Sequence, residues 1–251
     1  MAYLTCKWAN SGTVPLKASG VEFASSTNST ARFAALARCE TPALLMLSGI
    51  GDSAVLGPLG IKTEIHLKTV GRNLQEQASA KVSQIQSFGT NLPFLLCALL
   101  PFSRGNVKIT SADPFTAPAI RANYFSVGLD LDVQVAGMRL SRRILTSPPL
   151  NSLSVGETAP GSKVPDDAAR GSDAAGQTWI KNGFASVAHP IGTAAMMRRS
   201  LGGVVDAQLK VYDTANVHVV DASVVPLQLS AHLFSTLYVA EKAADLIKAA
   251  Q

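Results

Sequence analysis

The chain has 251 residues, 47% of them hydrophobic and 16% charged, enough apolar material for one large domain or two modest ones, which excludes a wholly disordered polymer. Its formal charge of +5 is spread over scattered Lys and Arg residues with no basic run interleaved with aromatics, so no nucleic-acid partner is expected. Three cysteines, Cys6, Cys39 and Cys97, lack C-x-x-C spacing and define neither a disulfide framework nor a zinc site.

The first residues lack a basic stretch followed by an apolar one, so no secretory signal is legible. Residues 20–24 alternate weakly and read as a short strand. Thr41-Pro42 then reads as N-cap and N1 of a helix over 43–47 that stops at Ser48-Gly49. A second short helix is expected over 53–59, closed by Gly60, and a strand over 63–67. Residues 75–104 carry no regular pattern. Within them, the apolar run 92–102 contains Pro93 and Pro101 and is too short to cross a bilayer, so the chain reads as soluble, with no membrane partner.

Further on, 105–110 reads as a strand and 114–118 as a loop. Apolar residues at 129, 133, 136, 140 and 144 have a helical period, so a helix is expected over 129–145. The Pro-, Gly-, Ser- and Asp-rich stretch 148–176 reads as a surface loop. Val217-His218-Val219-Val220-Asp221 reads as a compact strand and 233–250 as a closing helix.

Two kinds of signal bear on chemistry. Gly49-Ile50-Gly51-Asp52-Ser53-Ala54 satisfies the dinucleotide pattern G-x-G-x-x-[GA], but a helix ends where that pattern needs a strand. We read these glycines as a helix C-cap. Among the four histidines, His66 and His218 lie in strands and read as structural. His189 and His232 lie in connecting segments, where reactive side chains are commonly displayed. No carboxylate or third histidine falls at ligand-like spacing from them, and no metal site is expected.

Several blocks resemble those of the glucose–methanol–choline (GMC) oxidoreductases. Thr41-Pro42-Ala43-Leu44-Leu45-Met46-Leu47-Ser48-Gly49-Ile50-Gly51 is similar to a family signature, and Val70-Gly71-Arg72-Asn73-Leu74-Gln75-Glu76-Gln77 to its V-G-x-N-L-Q-[DE]-[HQ] stretch. His189-Pro190-Ile191-Gly192-Thr193-Ala194-Ala195-Met196 resembles an H-x-x-G-T-x-x-M block. Gly203-Val204-Val205-Asp206, Val219-Val220-Asp221-Ala222-Ser223 and Ser230-Ala231-His232 follow in the family's order. The wording is nearest to fungal glucose and aryl-alcohol oxidases and dehydrogenases.

The resemblance implies an α/β (α+β) fold: residues 1–77 a partial FAD-binding domain, 78–200 a reduced substrate-binding domain, and 201–251 a return to the FAD-binding domain. It implies oxidation of a CH–OH group of a small alcohol or sugar, with FAD as cofactor. His189 maps to the catalytic base and His232 to its partner, while Asp221, Ala222, Ala231 and Leu233 map to cofactor contacts. The family's N-terminal G-x-G-x-x-G unit has no counterpart in these 251 residues, and a substrate-domain stretch is short between Gln77 and Arg104. The alternative reading is therefore a non-catalytic family remnant that cannot hold FAD. Full-length relatives are often secreted, but localisation, oligomeric state, substrate and electron acceptor are not legible.

Overall fold

In the computed structural model, the described residues are 2–25, 37–86, 91–165, 173–228 and 232–249. In chain order the first elements are β1 (Ala2–Trp8), β2 (Ala18–Ser25), α1 (Ala37–Leu47), β3 (Ile50–Gly51), α2 (Ser53–Leu56), β4 (Ile65–His66), β5 (Ala78–Gln86) and β6 (Asn91–Cys97). There follow β7 (Asn106–Lys108), β8 (Ala119–Arg121), α3 (Gly128–Leu145), β9 (Ser154–Ala159), α4 (Ala174–Gly183), β10 (Ala185–Ser186) and α5 (His232–Ala249). Helices combine with small sheets, mostly antiparallel, which is the mixed α/β (α+β) class expected. No described helix is long and apolar enough to cross a membrane.

The chain forms two compact units. The first takes Met1–Gln75, Arg104–Ala122 and Pro190–Gln251. Its core gathers Leu45, Met46, Ile50, Leu56, Ile65, Val204, Val205, Val211 and Val224. Helix α1 starts at Ala37, before the expected Thr41-Pro42 boundary, and carries Pro42 inside it. Pro42 is the sixth residue, past the four leading N–H groups that lack intrahelical acceptors, so it leaves α1 one hydrogen bond short near its start. The other end is as expected: Gly49 at φ +82° takes the left-handed turn, and its N–H donates to Met46 O at 2.9 Å. α2 and a 3-10 turn over Gly57–Leu59 occupy the second predicted helix, closed by left-handed Gly60. The strand read over 217–221 is reduced to one bridge between Lys210 and His218, because the backbone turns into a 3-10 helix at Ala222.

The second unit takes Glu76–Ser103 and Asn123–His189. The stretch that seemed patternless, 75–104, forms β5 and β6, paired antiparallel from Ser79↔Cys97 to Ile85↔Asn91. β9 and β10 also pair with β5, so the sequence read as a loop over 148–176 contributes a strand and opens α4. The glycines and prolines there punctuate short elements. Glu157 of β9 accepts both Nε and Nη2 of the buried Arg142 on α3, at 2.8 and 3.1 Å, while the same Nη2 donates to Val164 O. This fork fixes the strand to the helix.

Helix α3 buries a different face from the one its apolar period marks. Leu131, Val135, Met138 and Leu145 are buried with Ala80, Val82, Val164 and Ile180. The residues whose period marked the helix, Leu129, Val133, Leu140 and Ile144, are exposed. Asp130 explains part of the rotation. Its carboxylate accepts the backbone N–H groups of Phe102 and Ser103, each at 2.7 Å, and so turns that side of the first helical turn inward. Gln134 follows on the same face, donating to Ala78 O at 2.6 Å. Two polar residues with backbone partners are buried at positions that a hydrophobicity pattern assigns to solvent.

Candidate functional site

Four of the sequence blocks meet in the first unit. Gly71, Leu74 and Gln75 form an extended spine with partners on both sides. Gln75 exchanges N–H···O bonds with Ile191, and Gly71 N donates to Thr193 O at 2.8 Å. On the other edge Leu74 exchanges bonds with Gly105, and Val107 N donates to Gly71 O. The segment after His189 is bonded in turn to the 222–224 segment: Ala194 N to Ser223 O at 2.9 Å and Met196 N to Val224 O at 2.8 Å. Gly71 has φ +79°, and a Cβ there would fall 2.2 Å from Val107 O, so the close strand approach requires glycine.

Polar side chains seal this assembly. Gln75 is fully buried; its Nε2 donates to Pro226 O and its Oε1 accepts Gln228 N, both at 2.9 Å. Asn73, in a left-handed conformation, donates to the same Pro226 O and accepts Nε of Arg104. These residues hold the chain up to residue 228, just ahead of His232. The sequence reading passed over them as motif letters; their amide chemistry at a turn was the available signal.

Asp221 N-caps the 3-10 helix Ala222–Val224, its Oδ1 accepting Ser223 N at 2.7 Å. Its Oδ2 accepts the Thr41 hydroxyl at 2.6 Å, tying the first block to the Val219–Ser223 block. Ala222 is buried. Beside them the buried Ser223 Oγ has no hydrogen-bond partner among the described residues. Ala231 lies outside the described residues, as do the side chains of His232 and Leu233, whose backbone opens α5.

His189 is the last residue of the second unit and is half-buried. Its N–H donates to Glu76 Oε1 at 3.0 Å, and its Nδ1 lies 3.2 Å from Gln77 Oε1. Glu76 Oε1 also accepts Gln77 N, and Gln77, fully buried, donates from Nε2 to Leu99 O at 3.0 Å. Cys97 Sγ stands 3.8 Å from Gln77 Oε1; burial, and then the negative charge of Glu76, push its thiol pKa up. Glu76 and Gln77 were invisible as neighbours of His189 because they precede it by 113 and 112 residues. Among the described residues no three metal-ligating side chains cluster.

The residues fit FAD unevenly. Ser223's unspent hydroxyl, next to Asp221 and Ala222, is a group that a polar cofactor atom would satisfy. The 49–54 glycines offer no phosphate cradle. The Asp52 carboxylate caps α2 there, accepting Ala54 N at 3.1 Å, and it also pairs with Arg72.

The GMC oxidoreductase family model matches residues 101–240, more than half of the chain. The chain belongs to the GMC oxidoreductase family. It is 45% identical over 148 residues to the GMC oxidoreductase family protein Mala s 12 of Malassezia sympodialis, covering 59% of this chain and 23% of the relative. Against a glucose oxidase of Aspergillus carbonarius it is 39% identical over 158 residues, 62% of this chain and 26% of that one. The solved structure of an FAD-dependent oxidoreductase from Chaetomium thermophilum superposes with a TM-score of 0.82 at 23% identity, covering 97% of this chain and 60% of that one. The match covers about a quarter of the length of these two curated relatives.

Proposed function

We propose that this GMC family chain carries the substrate-side chemistry of an FAD-dependent oxidoreductase that converts a CH–OH group of a sugar, or of a primary or aryl alcohol, into a carbonyl. His189 is the base and His232 its partner. The observation that carries the reading is the half-buried His189 imidazole, tied at its backbone to Glu76 and at its ring to Gln77. A neutral imidazole is a competent proton acceptor near pH 7.

As the C=O bond forms, the O–H bond breaks with its proton passing to His189, and the C–H bond breaks with its electron pair leaving as hydride. FAD, when bound, supplies the acceptor for that hydride. Of the residues assigned to the cofactor, Asp221 has both carboxylate oxygens engaged within the chain. Its part is to hold Ala222 and Ser223 in place, with the Ser223 hydroxyl available to the cofactor. Ala231 and Leu233 are proposed as the neighbours of the flavin on either side of His232.

A second reading, a family member that does not hold FAD, is favoured by one observation: the G-x-G-x-x-[GA] match at 49–54 offers no phosphate cradle, because Asp52 caps α2 there. Absorbance of the purified, FAD-reconstituted chain separates the two. Flavin bands that stay with the protein and bleach on anaerobic addition of glucose or benzyl alcohol support the oxidoreductase; loss of all flavin on desalting supports the second reading. In a turning-over preparation His189→Ala is expected to cut the rate by about 10²-fold or more while flavin is retained. An unchanged rate removes His189 from the mechanism.

A further inference from the structure

The two residues that grip His189 divide the work. Glu76 Oε1 is taken up by backbone amides, those of Gln77 and His189. Gln77 meets the ring. Its amide orientation is set by its own second bond: Nε2 must face Leu99 O, a carbonyl that can only accept, which turns Oε1 toward the imidazole. An amide oxygen also only accepts. At 3.2 Å, a deprotonated Nδ1 would set lone pair against lone pair, so Nδ1 must carry the proton. The neutral ring then has its lone pair on Nε2. Cys97 approaches the same oxygen as a second donor, and burial keeps it a thiol rather than a thiolate. Both lone pairs of Gln77 Oε1 thus face donors.

We propose that Gln77 is a positioning residue: its amide oxygen holds His189 as the Nδ1–H tautomer and so presents Nε2 as the proton-accepting atom. The inference rests on the reading of His189 as the base, but the tautomer itself can be measured without turnover. Gln77 lies fully buried, so nothing in solvent substitutes for it. A wrong tautomer costs a histidine base roughly 10⁴-fold in turnover in the serine-protease triad, where a carboxylate plays the corresponding part.

The test is long-range ¹H–¹⁵N correlation NMR of the full 251-residue chain with ¹⁵N-labelled histidine, the His189 signals being assigned by their loss in His189→Ala. The wild type is expected to show the Nδ1–H pattern. Gln77→Glu keeps an accepting oxygen in the same place and is expected to keep that pattern. Gln77→Met, similar in shape but without a strong acceptor, is expected to lose it, with the signals of His66 and His218 unchanged as the check on folding. A wild-type His189 in the Nε2–H form overturns the proposal, as does a tautomer indifferent to Gln77→Met in a folded protein. If Gln77→Met does not fold, the wild-type pattern and its retention in Gln77→Glu decide the matter. In a preparation that turns over an alcohol, Gln77→Met is expected to lower kcat by about 10²-fold with KM little changed and with recovery in Gln77→Glu. An Nδ1–H tautomer in a chain that never oxidises an alcohol would leave this inference standing and remove the catalytic reading instead.

Discussion

Helix α3 offers two faces of comparable hydrophobicity, and truncation on each measures which one the fold uses. Met138 is 1% exposed and Leu140 is 49% exposed, two residues further along the same helix. The tip of Met138 fills space left by α4: its Cε lies 2.9 Å from where a Cβ on Gly176 would stand. Met138→Ala therefore removes apolar contacts and leaves a void that Gly176 has no side chain to fill, a change that costs about 2–5 kcal/mol. Leu140→Ala gives up a side chain that is half in water and opens no cavity; its expected cost is below about 1 kcal/mol. For a chain of this size each kcal/mol lowers Tm by roughly 2–4 °C. Met138→Ala should thus melt about 4–20 °C below wild type, while Leu140→Ala stays within about 4 °C. Urea and thermal unfolding followed by circular dichroism give both numbers. A Leu140→Ala loss equal to or greater than that of Met138→Ala would refute the assignment of faces and restore the one suggested by periodicity.

Two further outcomes follow from single sites in the first unit. Gly71→Ala forces φ +79° on a residue with a Cβ and drives that atom to 2.2 Å from Val107 O, so the spine must open; a stability loss above about 2 kcal/mol is expected in urea unfolding, and a loss under 0.5 kcal/mol would mean that the strands do not approach so closely. Glu64 has a lowered pKa: burial pushes it up, but hydrogen bonds from Ser11, Lys62 and Gly12 and the Lys62 charge outweigh that. A lowered carboxylate pKa stabilises the folded chain above the unfolded value, near 4.3, and that contribution is lost as pH falls through the folded value. The stability gap between wild type and Glu64→Gln should accordingly shrink below about pH 4, and a gap constant from pH 7 to pH 3 would contradict the assignment.

Much of the fold and part of the site were legible in order rather than in space. Helix punctuation located the C-terminal end of α1 and that of the 3-10 turn after α2, since Gly49 and Gly60 need φ values that other residues resist. The order of the motif blocks marked the family. Tertiary structure alone joined them: Thr41 to Asp221, Gln75 to Ile191 and Gln228, and Ala194 to Ser223 are pairings between distant segments that no local pattern encodes. Strands β5 and β6 escaped notice for a related reason. Each is stabilised by its partner, so neither needs strict alternation of its own.

The sequence by itself determined which residues could do chemistry, because imidazole, carboxylate and amide side chains carry their proton and hydrogen-bond capacity wherever they lie. It also determined where helices must stop, because glycine and proline act through backbone geometry. Tertiary structure decided which of two apolar stripes on α3 faces the core, since Asp130 and Gln134 find backbone partners and can be buried at little cost. It likewise decided which atom of His189 faces a protein acceptor. That depends on Gln77, more than a hundred residues earlier in the chain and adjacent only after folding.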